Sequence, residues 1–270
     1  MAANENRFAL PGSYGKERGP ARRRPKYLAM YQFTDRVRFS EMDENYRMRI
    51  PSVLRVMQDC SDYQSEALGV GHQYLKENGL AWILLFWQVF FERLPADRQQ
   101  ITVETRPWKF RHFYGHRNFA VYDAAGERLV AANSLWGMVE TDRMRPVKPP
   151  EKVLESYGTD EQLVMDYAAS RKIALPEHLE AGEPFPVRRG NLDMNCHVNN
   201  VQYIDMACEL LPEGFEVYEL RAEYRKAARL GDTIVPYTAW DGEWFVAALC
   251  DTDGAPYAVV EMRERGEEHV

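Results

Sequence analysis

The chain carries the same order of signals twice, and this repetition limits the fold more than any other feature. In the first half, a strand-like alternation over residues 31–40 precedes a helical stretch opened by Pro51-Ser52 and stopped at Leu68-Gly69. Its apolar side is Val53, Leu54, Val56, Met57, Cys60 and Ala67. A short second helix over residues 72–78 closes at Gly79. Extended segments rich in Val, Ile, Phe, Tyr and Trp then cover residues 80–93, 100–108, 111–123 and 127–141. In the second half, a short strand over residues 185–189 leads to a helix with Val201, Ile204, Ala207, Cys208 and Leu211 on one side. Extended segments follow at residues 216–228, 232–241, 243–251 and 256–263, with hairpin signals at Asp241-Gly242 and Asp253-Gly254. The correspondence reaches single residues. Asp43, Asn45 and Arg47 stand where Asp193, Asn195 and His197 stand, and Asp123 to Gly126 matches Asp251 to Gly254. A duplication accounts for both sets, and periodicity assigns the chain to the α+β class.

The second copy of the motif carries the chemistry. Asp193, Asn195 and His197 fall at alternate positions, so an extended backbone points all three the same way. Leu192, Met194, Cys196 and Val198 would then pack on the other side. Asn199 or Asn200 offers an N-cap to the helix beyond, whose free N–H groups and partial positive charge suit a developing oxyanion. An acid, an amide and an imidazole beside a helix start suit general-base attack by water. An imidazole, ordinarily titrating near ~6.5, accepts a proton at neutral pH. A Cys196/His197 nucleophilic pair is a rival that the alternation argues against. A metal site is disfavoured, because no second His or Cys stands at ligand spacing. His112 and His116 are four apart in a strand-like aromatic segment, which argues against a helical metal pair, and His72 is expected at the surface. Trp82, Phe86, Trp87, Phe90 and Phe91 are expected to be mostly core, with a few lining an apolar pocket.

Segment boundaries follow from composition. Residues 1–29, with Arg22-Arg23-Arg24, are expected to be a flexible basic tail. The two repeats take residues 30–150 and 183–270, joined by a charged, partly helical linker over residues 151–182. A net charge of −7 argues against nucleic acid as the main partner. No apolar run is long enough to span a bilayer, so no membrane insertion is expected. Cys60, Cys196, Cys208 and Cys250 form no C-x-x-C pair, and the N-terminus carries no apolar signal core. Reduced thiols in the cytoplasm are the expectation.

The run from Asn191 to Tyr203, Asn-Leu-Asp-Met-Asn-Cys-His-Val-Asn-Asn-Val-Gln-Tyr, resembles the signature of the acyl-acyl carrier protein (acyl-ACP) thioesterases. Supporting matches are Phe39-Ser40-Glu41-Met42-Asp43, Leu68-Gly69, Ser134-Leu135-Trp136, Arg143-Met144-Arg145-Pro146 and Glu223-Tyr224-Arg225-Lys226. The resemblance spans roughly residues 31–263. It implies a tandem (double) hot-dog fold and hydrolysis of fatty acyl-ACP, with Asp193, Asn195 and His197 at the catalytic positions and no cofactor or metal. The family's further acid, after the Tyr-Arg-Arg/Lys run, is replaced here by Ala227; Glu223 is the nearest candidate substitute. Arg188, Arg189, Arg225, Lys226 and Arg229 flank the motif as a docking patch for an acidic carrier protein. A homodimer is a further option. A non-catalytic acyl-binding protein, an acyl-CoA thioesterase and a hydratase on the same fold are the competing functions.

Overall fold

In a computed structural model, the protein is described over residues 29–266, so the basic tail before Ala29 lies outside the described residues. The first half begins with strand β1 (Tyr31–Arg36), a 3-10 turn (Phe39–Glu41), helix α1 (Ile50–Ala67) and short helix α2 (His72–Glu77). Strands β2 (Leu80–Phe91), β3 (Gln100–Arg111), β4 (Tyr114–Asp123), β5 (Arg128–Glu140) and the two-residue β6 (Arg145–Pro146) complete it. Helix α3 (Glu151–Tyr157) opens the connection, which ends in β7 (Glu180–Ala181). The second half runs β8 (Phe185–Pro186), a 3-10 turn (Arg189–Asn191), α4 (Asn200–Cys208), β9 (Glu219–Tyr224), β10 (Thr233–Asp241), β11 (Trp244–Cys250) and β12 (Pro256–Arg263). Among the described residues no helix is long and apolar enough to cross a membrane.

The strands join in one sheet in the order β1-β3-β4-β5-β2-β9-β12-β11-β10-β7, with β8 also on β10. Read outward from the β2–β9 pair, the two sides repeat one plan, with β8 in the place of β1. The halves meet where Trp87 faces Ala222 and Val89 faces Leu220, so backbone hydrogen bonds fuse the repeats. Helix α1 lies on one face of its sheet. Val53, Leu54, Met57 and Cys60 recur at helical spacing and are fully buried against Trp87, Val89, Phe119 and Val121. Pro51 near its start and Gly69, at φ +69°, just beyond its end bound the helix as expected. Val201, Ile204 and Ala207 of α4 join the same core, and Arg55 and Asp205 face each other across the two helices at 3.7 Å.

Beyond α3, the connection is a strap over the opposite face of the sheet. Residues alternating outward from the core hold it by its backbone. The buried Asn118 side chain accepts from Leu163 N–H (3.0 Å), Gln88 from Ala168 N–H (2.8 Å) and Glu223 from Ile173 N–H (3.0 Å). Its charged sequence reads as a linker because these anchors lie on distant strands.

Candidate active site

The loop between β8 and α4 is a tight turn, which corrects the extended reading. Asp193 N–H donates to the His197 carbonyl (2.8 Å), and Cys196 N–H donates back to the Asp193 carbonyl (3.1 Å). The Asp193 carboxylate turns onto its own loop. One oxygen accepts from the N–H groups of Asn195 (2.8 Å) and His197 (3.3 Å), and the other from the Asn195 side-chain amide (3.4 Å). An Asp that caps backbone two residues on is a turn former, and such turns share period-2 spacing with strands. Cys196 adopts φ +60° at the bend. Met194 is 74% exposed and Cys196 is exposed as well, so neither packs into the core as alternation suggests.

Three anchors fix the turn. Leu192 bridges Val198 at its base, and Asn199 caps α4 by accepting from Val201 N–H (2.9 Å). Val198 N–H donates to the Ala228 carbonyl (2.9 Å), while Ala228 N–H donates to the Tyr203 hydroxyl (2.8 Å). Tyr203 and Ala228 are buried, so this hydroxyl ties the loop after β9 to α4 beneath the turn. Burial holds the Tyr203 phenol up at about 12, so it stays a neutral hydroxyl. The sequence gives Tyr203 as a helix residue but does not disclose this anchoring.

The turn opens on a cavity of about 670 Å³ formed chiefly by the other half. Met194, Asn195 and Asn200 line one part of it; Gln58, Asp59, Ser61, Asp62 and Ser65 of α1 and Leu75 of α2 line another, with Trp82, Phe110, Trp136 and Tyr157 beyond. Of the three motif residues, Asn195 lines the cavity, Asp193 organises the turn, and His197 is half-buried with its backbone bridged to Arg229. Trp82 lines the cavity while Trp87 is core, as the aromatic pattern implies in part. The wall is more polar than an apolar tunnel. Burial, helped by Asp62, raises the Asp59 carboxyl, and burial followed by Glu66 raises that of Asp62. His72, exposed as expected, and His116 also line the cavity. Burial and then Lys109 push the His116 imidazole down to about 4, and its ring lies 4.9 Å from Trp108.

Two proposed roles need correction. Tyr224 reaches α4 through its hydroxyl, which donates to the Asn200 carbonyl (3.0 Å), so the neighbouring Glu223 points to the opposite face. There Glu223 is buried, paired with Arg225 (2.8 Å) and with the strap; it is not a spare acid at the turn. Arg225 is likewise committed, donating to the Ile173 carbonyl (2.7 Å), and Lys226 pairs with Asp251. Arg188, Arg189 and Arg229 are exposed and form no ion pair among the described residues, unlike Arg225 and Lys226. Ala227 is exposed and Ala228 buried. Among the described residues no cluster of three His, Cys, Asp or Glu side chains is placed to hold a metal.

The first half contains the same turn. Asp43 N–H donates to the Arg47 carbonyl (2.8 Å), the Asp43 carboxylate accepts from the N–H groups of Asn45 and Arg47 (2.9 Å each), and Tyr46 sits at φ +58°. Met42 bridges Met48 as Leu192 bridges Val198. Arg47, in the place of His197, pairs with Glu216 (3.2 Å).

The duplicated turn and its partner cavity coincide with matches to two family models. The acyl-ACP thioesterase N-terminal domain covers residues 29–157 and the C-terminal domain covers residues 176–249. This chain belongs to the acyl-ACP thioesterase family. Its relatives include an oleoyl-acyl carrier protein thioesterase of Coriandrum sativum, 23% identical over 84% of this chain and 68% of the relative. A dodecanoyl-[acyl-carrier-protein] hydrolase of Cinnamomum camphora is 25% identical over 79% of this chain and 60% of its own length. The chain thus spans 60–68% of these two chloroplastic relatives. Among solved structures, an acyl-ACP thioesterase from Bacteroides thetaiotaomicron superposes with a TM-score of 0.79 at 17% identity, covering 88% of this chain and 99% of that one. The 12:0-ACP thioesterase from Umbellularia californica gives 0.77 at 21% identity, covering 88% and 97%. The fold is the double hot dog.

Proposed function

We propose that the chain hydrolyses the thioester joining a fatty acyl group to acyl carrier protein, as part of fatty acid biosynthesis. The observation that carries this reading is that a turn holding Asp193, Asn195 and His197 borders a cavity contributed by the other repeat. The cavity takes the acyl chain and the turn meets the thioester. In this reading His197 removes a proton from water, and the hydroxide equivalent attacks the carbonyl carbon. Asn195, which lines the cavity, holds the carbonyl oxygen as it gains charge. The helix start is a weaker oxyanion donor than its position suggests, because Asn199 already accepts from both Val201 and Gln202 N–H (2.9 Å each). Asp193 positions both neighbours through their backbones. Collapse of the tetrahedral adduct releases the carrier's thiolate, which takes up the proton held by His197. No acyl group passes to the protein.

Arg188, Arg189 and Arg229 supply positive charge around the turn for the acidic carrier. A reducing cytoplasmic setting suits four free thiols. The test is release of free thiol from acyl-ACP and acyl-CoA by wild type, His197→Ala and Arg47→Ala. Hydrolysis with a preference for acyl-ACP, falling about 10²–10⁴-fold in His197→Ala and little in Arg47→Ala, is expected. Acyl binding without thiol release would identify an acyl-binding protein, and equal rates on both thioesters would remove the carrier's role.

A further inference from the structure

Arg117 of β4 alternates inward with Phe119 and Val121 and so carries a guanidinium into the space between sheet and α1. It is 7% exposed and lines the cavity. One terminal nitrogen donates to the Gln64 side-chain oxygen and to the Thr105 hydroxyl (3.0 Å), and the guanidinium carbon lies 5.1 Å from the centre of the Tyr157 ring. Gln64 is held in this orientation because its amide nitrogen donates to the Ala29 carbonyl (2.5 Å). Among the described residues no carboxylate comes within ion-pair distance of Arg117, and its remaining N–H groups meet no protein acceptor.

Burying a cation without a counter-charge is costly, and arginine cannot escape the cost by losing its proton. A saturated chain lying over this wall would leave those N–H groups unpaired and remove water from them. It would also cover the paired hydroxyls of Ser65 and Tyr157 (2.7 Å) with methylene groups. An oxygen on the chain would instead accept from the guanidinium.

We infer that the cavity selects an acyl chain bearing an acceptor oxygen beyond the thioester, a hydroxyl, carbonyl or carboxylate, and that Arg117 reads it. This rests on the thioesterase reading of the same cavity. Asp59 and Asp62 share the wall, so among these oxygens a neutral one is favoured over a carboxylate.

The test uses acyl-pantetheine thioesters of one chain length, unsubstituted or carrying a hydroxyl at successive carbons, with an ω-carboxylate member and matching non-hydrolysable thioethers. In wild type the best oxygenated member should exceed the plain chain by about tenfold or more in kcat/KM and in thioether affinity, as one hydrogen bond to a charged group implies. Arg117→Met should erase the ranking. Arg117→Lys, which keeps the charge without the planar fork, should weaken it and guards against a Met variant that does not fold. A wild-type protein that prefers the plain chain over every oxygenated one overturns the inference, as does a ranking unchanged in folded Arg117→Met or Arg117→Lys. Hydrolysis without oxygen preference sinks this inference alone. Thioether binding with the preference but no hydrolysis sinks the proposed function alone.

Discussion

The duplicated turn allows the structural and chemical work of Asp193 to be separated by experiment. Asp193→Ala removes the acceptor for two backbone N–H groups and for the Asn195 amide. Asp43→Ala removes the equivalent pair at Asn45 and Arg47. Each backbone bond contributes a net of about 0.5–1.5 kcal/mol, so the pair common to both turns is worth about 1–3 kcal/mol, toward the lower end because water reaches both turns, and the long Asn195 amide contact (3.4 Å) adds little at Asp193. At about 2–4 °C per kcal/mol for a domain of this size, the two melting temperatures should fall by similar amounts. Their activities should diverge. Asp193→Ala frees Asn195 and His197 from their positions and should lower kcat steeply, by about the 10²–10⁴-fold typical of losing a general base. Asp43→Ala has no imidazole to displace and should keep near wild-type kcat. Asp193→Asn sharpens the comparison. It keeps an acceptor for both N–H groups but sets a donor against the Asn195 amide, so stability should hold while kcat drops. Calorimetry and thiol release on the three variants give both quantities. A folded Asp43→Ala protein as inactive as Asp193→Ala, or an Asp193→Ala protein with unchanged kcat, would refute the assignment.

Other perturbations test neighbouring parts. Tyr203→Phe leaves the buried Ala228 N–H without its acceptor and should cost about 1–3 kcal/mol in denaturant unfolding, with a smaller kcat loss as the turn loosens. Cys196→Ala should retain kcat, since the mirror position in the first half is Tyr46 in the same backbone conformation; an acyl adduct on Cys196 by mass spectrometry would replace water attack with a thiol nucleophile. His116 is held neutral down to about 4 in the fold, against 6.5 when unfolded. The unfolded chain therefore takes up the proton first on acidification, and stability should fall as pH drops from 6.5 toward 4; His116→Gln should flatten that slope in urea midpoints measured against pH.

Helices and hairpins were legible because their signals are local. Pro51, Gly69 and the apolar spacing of Val53, Leu54, Met57 and Cys60 define α1 without reference to the rest of the chain. The Asp193–His197 turn was legible in composition but not in shape. Alternation at Asp193, Asn195 and His197 describes a strand and an Asp-led turn equally well, and the left-handed Cys196 that decides between them leaves no mark in residue type. Glu223 shows a different limit. Its alternation with Tyr224 is correct, but which face meets the turn depends on a strap anchored from residues far along the chain. Arg117 was hidden for a related reason: an inward arginine beside Phe119 and Val121 reads as an ordinary strand charge until Gln64 and Tyr157 are brought against it.

The two repeats keep the same turn but not the same helix, and under the proposed function this difference accounts for the chemistry falling to one turn. Helix α1 has 18 residues and α4 has nine. The two begin at equivalent points, Ile50 and Asn200, so the stretch of α1 from Asp59 to Ser65 that walls the cavity has no helical counterpart beyond Cys208. There the chain instead packs Leu210, Leu211 and Phe215 against the core. A cavity walled by a long helix can therefore form over the first half, and the turn that borders it belongs to the second. The first turn, at Asp43 to Arg47, meets the second half through the Arg47–Glu216 pair and lines no part of this cavity. Its imidazole position can carry Arg47, tied to Glu216 on the surface, while the shared hydrogen bonds persist because they hold the entry to α1.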